Sequence, residues 1–271
     1  MLHAVLERRT SLVRPTASRT PQGQVLAANV DTVVVTVSLA VPLNHGRTER
    51  MIALAWASGA QPVVVLSKAD QCADPRQAAA EVAPGADVLV TSAVTGEGLD
   101  GLTAALRGTI VLLGPSGAGK STLGNRLLGE DRLATGAVRD ADGKGRHTTA
   151  WRELVPLPGG GVLLDTPGLR AIGLHDAQDG LEHTFAEIEL LAQNCRFADC
   201  GHGSEPDCAV LAAVASREIT RRRLDSYHRL LSENAYAASR TDARLRAGRE
   251  ATKKDITQHL RATYQFRDRQ R

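Results

Sequence analysis

A glycine-rich turn near the middle of the chain is the most informative part of its sequence. It reads Gly114-Pro115-Ser116-Gly117-Ala118-Gly119-Lys120-Ser121 and continues with Thr122. Two glycines, a lysine and a hydroxyl at this spacing are typical of a loop whose backbone N–H groups surround phosphate oxygens. In such a loop Lys120 reaches the β- and γ-phosphates and Ser121 binds Mg²⁺. A purely structural turn between a strand and a helix is the alternative.

Apolar runs rich in β-branched residues alternate with helix-like stretches on both sides of this turn. The runs cover residues 30–39, 62–66, 87–91 and 109–113, and the helical spacing covers residues 47–58, 75–82, 99–107 and 120–128. Two further strand candidates lie at 151–157 and 161–164, after a loop at 135–149 that is almost free of apolar residues. The pattern predicts an α/β fold in which helices cover both faces of a parallel sheet.

A second motif, Asp165-Thr166-Pro167-Gly168, follows the strand candidate at 161–164. Alone it is a common turn sequence. After a phosphate loop, it is typical of a site where the carboxylate of Asp165 holds a Mg²⁺-bound water and the N–H of Gly168 lies near the γ-phosphate.

Two strand ends upstream of the turn carry residues suited to a purine base. The carboxylate of Asp70 can accept two hydrogens from guanine, which adenine does not offer, and the stem of Lys68 can cover the ring. Ser67 precedes them, and Ser92 and Ala93 follow the next strand. Each motif alone is weak, since a carboxylate at this place is commonly a helix cap. Together they predict a guanine pocket.

Four residues near the C-terminal third have metal-ligand spacing: Cys195, Cys200, His202 and Cys208. Three thiolates and one imidazole suit a tetrahedral Zn²⁺ with no open position, which predicts a structural site. A disulfide and a catalytic metal are the alternatives. Cys72 is left over as an ordinary small side chain.

The order of these motifs is unusual, because the base-reading residues precede the phosphate loop. When the chain is read circularly from residue 114 and rejoined at residue 30, the order becomes that of common GTPases. With the sequence GKGRHTT at 143–149 and the zinc motif, the chain resembles the ribosome small-subunit-dependent GTPase A family (RsgA or YjeQ type) over about residues 9–228. The resemblance implies a circularly permuted GTPase domain and a small zinc-binding helical domain.

The resemblance also implies a mechanism and a partner. Leu169 stands where common GTPases have a water-orienting Gln, so His147 becomes the candidate for that role, with a solvent-exposed loop histidine as the alternative. Thr148 or Thr149 would complete the Mg²⁺ site with Ser121 and Asp165. Slow hydrolysis of GTP to GDP, stimulated by the small (30S) ribosomal subunit and its 16S rRNA, is the expected activity. We expect a monomer.

Two departures from the family pattern affect these expectations. Ser67 stands where the family usually has Asn, so we expect weaker base binding with specificity still carried by Asp70. Family members begin with an OB-fold, and residues 1–23 are too few for a five-stranded barrel. We therefore expect the OB-fold to be truncated or absent. Residues 1–23 would be its remnant or a basic arm, residues 24–183 the circularly permuted GTPase domain, and residues 184–271 the zinc knuckle and basic helical domain.

Charge is segregated along the chain. The net charge is only +3, yet residues 217–271 hold 15 Lys or Arg against 7 Asp or Glu. We expect this basic end, including Arg221, Arg222 and Arg223, to contact rRNA phosphates, with a solvated helix face as the alternative. No apolar run is long enough for a bilayer, and the cysteines are few, so we expect a cytoplasmic protein without a membrane partner. A P-loop ATPase and an RNA-binding zinc protein with little turnover are the rival functions.

Overall fold

Two antiparallel strands precede the main sheet in the computed structural model of the chain. The structure describes residues 4–14, 24–82, 85–134, 152–165 and 177–241, with side chains as far as residue 239. Strands β1 (Ser11–Arg14) and β2 (Gln24–Ala28) pair with each other, and Leu12 and Leu26 are buried beneath them. The expected domain boundary between residues 23 and 24 therefore falls between two paired strands.

The centre of the fold is a six-stranded sheet. Its strands are β3 (Thr32–Ser38), β4 (Gln61–Ser67), β5 (Asp87–Val90), β6 (Thr109–Leu113), β7 (Glu153–Pro156) and β8 (Val162–Asp165). They lie in the order β5-β4-β3-β6-β8-β7, all parallel except β7, which runs antiparallel to β8 at the edge. The predicted α/β sheet is confirmed, and the antiparallel edge strand is a detail that the apolar pattern did not indicate.

Helices follow the strands in alternation and then continue without further strands among the described residues. They are α1 (His45–Ala57), α2 (Pro75–Glu81), α3 (Leu99–Ala105), α4 (Lys120–Leu128), α5 (Gln178–Thr184), α6 (Ala186–Ala192), α7 (Ala209–Ala215) and α8 (Arg221–Thr241). Local capping explains two starts: Asn44 accepts a 3.0 Å hydrogen bond from the N–H of Arg47, and Asp74 accepts a 2.9 Å bond from the N–H of Gln77.

The core consists of two layers, one on each face of the sheet. On one face, Val33 and Val35 of β3 belong to a cluster formed with α1, α5, α6 and α8. On the other face, Val34 belongs to a cluster formed with α3 and α4. All three valines are fully buried, as expected for a central parallel strand covered on both sides.

Helix α8 is joined to the sheet domain by a buried ion-pair network. The guanidinium of Arg223 lies 3.0 Å from Glu49 of α1 and 2.6 Å from Glu187 of α6, and it stacks on the ring of Phe185. Arg223 is 4% exposed and Glu49 is 1% exposed. Arg222 also reaches Glu49, at 2.9 Å.

This network corrects one sequence-based expectation. Arg223 cannot contact rRNA phosphates, because its charge is already paired and removed from solvent. Arg221 is exposed and paired with Asp225 one helical turn away. None of the helices in the described part of the chain combines the length and apolarity needed to span a bilayer.

Candidate functional site

The phosphate loop connects β6 to α4, as predicted. Gly117 and Gly119 have φ values of +77° and +84°, a conformation that side chains with a Cβ rarely adopt. At Gly114 a Cβ would lie 2.4 Å from the carbonyl oxygen of Thr36, so the neighbouring strand β3 also requires glycine there. The ammonium of Lys120 donates to the carbonyl groups of Gly114 and Pro115, at 2.8 and 2.7 Å. The lysine is therefore held over its own loop, within reach of anything that the loop binds.

The predicted base-reading residues meet at the carboxyl ends of β4 and β5. The hydroxyl of Ser92 donates a 2.5 Å hydrogen bond to the carboxylate of Asp70, and Ser92 is fully buried. Lys68, between these elements, has a left-handed backbone with φ of 59°. Although Asp70 lies in a short 3₁₀ turn (Ala69–Gln71), the hydrogen bond to Ser92 distinguishes it from a simple helix cap.

Ser67 joins the base-reading strand to the phosphate loop. Its buried hydroxyl lies 2.7 Å from the carbonyl oxygen of Ala118, to which it donates, and 3.2 Å from that of Val37. The stem of Lys68 passes the same loop, with its Cε 3.9 Å from where a Cβ on Gly119 would lie. Sequence alone suggested only that Ser67 is shorter than the usual Asn. In the fold, the hydroxyl still bridges the two motifs.

The loop after β5 is a compact turn built around Ser92. The N–H of Ser92 donates to Glu97, its carbonyl accepts from the N–H of Gly96, and its hydroxyl accepts from the N–H of Thr95. Ala93 lies at the outer side of this turn. Its carbonyl accepts a 2.6 Å hydrogen bond from Arg126 of α4, a contact that the sequence motifs did not indicate.

Asp165 lies at the end of β8, next to the strand that leads into the phosphate loop. It is half-buried, and burial, with a smaller effect of the nearby Glu153, raises the pKa of its carboxyl. A carboxylate held in this environment is stabilised by a cation. Asp165 at the end of β8 and Ser121 in the first turn of α4 both carry oxygen donors of the kind that Mg²⁺ prefers.

Several predicted site residues lie outside the described residues. These are His147, Thr148, Thr149 and Gly168. The chain is held to α4 at Leu133, near the end of the described stretch 85–134. The side chain of Asn125 on α4 accepts a 2.7 Å hydrogen bond from the N–H of Leu133 and donates a 3.0 Å bond to its carbonyl. Asn125 was not among the predicted site residues, and only its position in the helix after the phosphate loop could have indicated it.

The four predicted zinc ligands lie together in the structure. Their ligand atoms are all within 4.8 Å of one another. The Sγ of Cys195 lies 3.8 Å from that of Cys208, and the Nδ1 of His202 lies 3.7 Å from Cys195 and 3.4 Å from Cys208. Ligands about 2.3 Å from a tetrahedral Zn²⁺ are separated by roughly 3.8 Å. The cysteines are free thiols, so the disulfide alternative is wrong.

The surroundings of this cluster also suit a metal. Burial, assisted by the nearby His228, lowers the pKa of His202 and favours the neutral imidazole that binds metal ions. The carboxylate of Glu205 accepts hydrogen bonds from the backbone N–H groups of Gly201, Gly203 and Ser204, at 2.7 to 2.9 Å. The backbone N–H of Glu205 itself and these three hydrogen bonds lower the pKa of Glu205 to about 2. The same bonds shape the loop that carries Cys200 and His202.

Comparison with known proteins gives consistent matches. A family model described as RsgA GTPase matches residues 5–175. The small ribosomal subunit biogenesis GTPase RsgA of Streptomyces avermitilis is 59% identical over 249 residues, which cover 89% of this chain and 67% of that protein. The protein of the same name from Streptomyces coelicolor is also 59% identical over 249 residues, covering 89% of this chain and 68% of that protein.

Two solved structures resemble the fold. YjeQ from Thermotoga maritima matches with a TM-score of 0.62 and 28% identity, over 84% of this chain and 78% of that one. YloQ, described as a circularly permuted GTPase, matches with a TM-score of 0.61 and 27% identity, over 85% of this chain and 73% of that one.

Proposed function

The chain belongs to the RsgA family of GTPases, and we propose that it hydrolyses GTP to GDP and phosphate during biogenesis of the small ribosomal subunit. The observation that supports this most strongly is the hydrogen bond of Ser67 to Ala118, which joins a guanine-reading motif to a phosphate loop at one edge of the sheet. The base-reading motif precedes the phosphate loop in the chain, in permuted order, and this hydrogen bond brings the two motifs together.

Guanine recognition is assigned to Asp70 and to the turn after β5. The carboxylate of Asp70 would accept the N1 and N2 hydrogens of guanine, and Ser92 orients it by donating to one carboxylate oxygen. Adenine has neither donor in that arrangement. Lys68 would cover the base with its aliphatic stem, as its left-handed backbone directs it along the phosphate loop.

Phosphate binding is assigned to the loop from Gly114 to Thr122. When phosphates enter, the ammonium of Lys120 would exchange the carbonyl groups of Gly114 and Pro115 for phosphate oxygens. The backbone N–H groups at the start of α4 would also donate to phosphate oxygens, as is usual at a helix N-terminus. Because the lysine is already positioned over the loop, little reorganisation is needed.

Magnesium would be held by Ser121 and Asp165, together with Thr148 or Thr149. Bound Mg²⁺ neutralises negative charge on the β- and γ-phosphates. The position of Asp165 at the end of β8, which pairs with the strand leading into the phosphate loop, supports this assignment. Gly168 would donate its N–H near the γ-phosphate.

His147 is the candidate for orienting the attacking water. A hydrophobic side chain, Leu169, follows the Asp165 motif where common GTPases have a Gln, so another polar group must supply that function. His147 is adjacent in sequence to Thr148 and Thr149, and slow turnover of the protein alone follows if a partner is needed to position His147. The small subunit would be that partner.

The cysteine and histidine cluster would hold one structural Zn²⁺. Its ligand separations match a tetrahedral ion, and four protein ligands leave no position for a reacting water. The ion would fix the knuckle between α6 and α7 and the packing of the C-terminal helices.

Contact with the subunit would use 16S rRNA phosphates. Arg221 and Arg229 are exposed on α8, and Arg222 is 44% exposed beside them. Such contacts weaken with added salt. Arg223 is excluded from this surface by its burial.

Nucleotide competition distinguishes this proposal from its rivals. A fluorescent GDP analogue bound to the protein should be displaced by GDP and GTP and resist ADP and ATP at equal concentrations. Equal displacement by adenine nucleotides would support a P-loop ATPase instead. Guanine preference without any turnover, with or without small subunits, would support an RNA-binding zinc protein that only binds nucleotide.

A further inference from the structure

We propose that Arg126 is a positioning residue for the guanine base. It holds the base-reading turn, which is the turn after β5 that contains Ser92 and Ala93, against α4, the helix that follows the phosphate loop. The proposal rests on the GTPase function above. Arg126 would act on the base indirectly, through the backbone of Ala93 and Val94. It also links the two halves of the nucleotide site by a second connection, besides that of Ser67.

The contacts of Arg126 are specific in direction. Its Nε donates a 2.6 Å hydrogen bond to the carbonyl of Ala93, and its Nη2 donates a 3.3 Å bond to the carbonyl of Val94. The donor lies on α4, six positions after Lys120, while the acceptors are 33 and 32 residues earlier in the chain. One side chain therefore connects the phosphate-binding helix to two successive peptide groups of the base-reading turn.

The outer side of the turn is exposed in the part of the chain that the structure describes. Val94 is 70% exposed, and Arg126 is exposed as well. The inner side is fixed by Ser92, whose hydroxyl donates to Asp70 and whose carbonyl accepts from the N–H of Gly96. Without Arg126, the hydrogen bonds that would hold this side of the turn, among the described residues, are those within the turn itself.

This arrangement directs one backbone N–H outward. The carbonyl of Ser92 points to the N–H of Gly96, so the N–H of Ala93, on the same planar peptide, points the opposite way. The next carbonyl is held by Arg126. Among the described residues no backbone hydrogen bond uses the Ala93 N–H. A donor held there suits the 6-oxo group of guanine and opposes the 6-amino group of adenine, which is itself a donor.

Arginine is suited to this task because its planar guanidinium presents several donors in a fixed fork, which can meet two carbonyl groups together. A contact at the surface contributes little to global stability. Its loss should therefore loosen the base-reading turn while the fold and the phosphate loop remain intact.

The test compares three variants with the unmodified protein. Arg126→Ala removes both hydrogen bonds, and Arg126→Lys keeps one charged donor. Arg107→Ala is the matched control, since Arg107 also donates to two backbone carbonyls, those of Ala104 and Leu106, but lies before the amino-terminal end of β6, whereas the phosphate loop follows its carboxyl end. Affinities for GDP, ADP and inorganic tripolyphosphate are measured by competition, and the Tm is recorded for each protein.

We expect Arg126→Ala to weaken GDP binding by about tenfold, since a charged hydrogen-bond donor is lost, while ADP and tripolyphosphate binding stay within about twofold. The ratio of GDP to ADP affinity then falls about tenfold. Arg126→Lys should recover part of this ratio, and Arg107→Ala should leave it unchanged. A purely structural role would lower the Tm and weaken all three ligands together.

The proposal is overturned if Arg126→Ala keeps the GDP to ADP ratio of the unmodified protein, or if GDP and tripolyphosphate weaken equally. An unmodified protein that does not prefer GDP to ADP would instead contradict the guanine assignment itself. The unmodified protein thus tests the proposed function, and the variants test the role of Arg126.

Discussion

The hydroxyl of Ser67 lies 2.7 Å from the carbonyl oxygen of Ala118, so the end of β4 is hydrogen-bonded to the phosphate loop across 51 residues of sequence. The two residues belong to motifs with separate tasks, base reading and phosphate binding. Their contact means that a change in one motif is transmitted directly to the other.

Replacing Ser67 with Ala should weaken GTP binding. The variant loses one buried hydrogen bond, of about 1 kcal/mol, and leaves the Ala118 carbonyl without that partner, so we expect about fivefold weaker GTP binding. Ser38→Ala is the control, because Ser38 ends the neighbouring strand and its hydroxyl accepts a local hydrogen bond from the N–H of Ala40, two residues away. Calorimetric titration of both variants measures the difference, and equal affinities would contradict a coupling role for Ser67.

Replacing Asp70 with Asn should shift the nucleotide preference toward xanthine. The amide offers a donor where the carboxylate offers only acceptors, which opposes guanine and suits the 2-oxo group of xanthine. We expect GTP to bind about 100-fold more weakly and XTP to gain affinity. Asp74→Asn is the control, since Asp74 only caps α2. If XTP gains nothing while GTP is lost, Asp70 supports the fold and does not read the base.

Three consecutive arginines should differ strongly in their effect on stability. Arg223→Ala leaves Glu49 with a buried, poorly compensated charge, and we expect a loss of about 3 to 5 kcal/mol in the free energy of unfolding. Arg221→Ala removes an exposed pair with Asp225, which is worth at most about 0.5 kcal/mol. Arg222→Ala should lie between them. Urea unfolding of the three variants gives the order, and equal losses would refute the buried network.

Removing zinc should affect the C-terminal helices and spare nucleotide binding. We expect about one Zn per chain by elemental analysis, and a lower Tm after chelation. Cys200→Ser and His202→Ala should abolish zinc retention and lower the Tm while GDP binding persists. Cys72→Ser is the control, because Cys72 lies outside the cluster. A chain that keeps its Tm without metal would show that the cluster is not a zinc site.

Local patterns in the sequence predicted the elements well. Residues 120–128 were expected to be helical and form α4 with those bounds, and residues 109–113 form β6. Gly117 and Gly119 are required by their own positive φ values, which is a local property, so their spacing is visible in the sequence. The contact of Gly114 with Thr36 of β3 is not local and could not be predicted in this way. The antiparallel direction of β7 was not predictable in this way, because strand direction depends on the pairing partner.

Contacts between distant residues could not be predicted from local patterns. Arg223 is one of three consecutive arginines. Only the fold determines that it is the buried one and that it pairs with Glu49, which lies 174 residues earlier in the sequence. Arg126 looks like an ordinary surface residue of an amphipathic helix until the turn at Ala93 is placed beside it. The role of each arginine depends on the distant group that the fold places beside it, which is the Glu49 carboxylate for Arg223 and the Ala93 carbonyl for Arg126.

A steady-state assay of phosphate release shows whether the protein hydrolyses GTP and whether the small ribosomal subunit stimulates it. Phosphate release is measured with GTP and with ATP, in the presence and absence of purified 30S subunits, with Lys120→Ala as the inactive control. We expect slow hydrolysis of GTP alone, a rise of about tenfold or more with 30S subunits, and no comparable rate with ATP. Equal rates with GTP and ATP, or a GTP rate that 30S subunits leave unchanged, would show that the protein is not a GTPase linked to the small subunit.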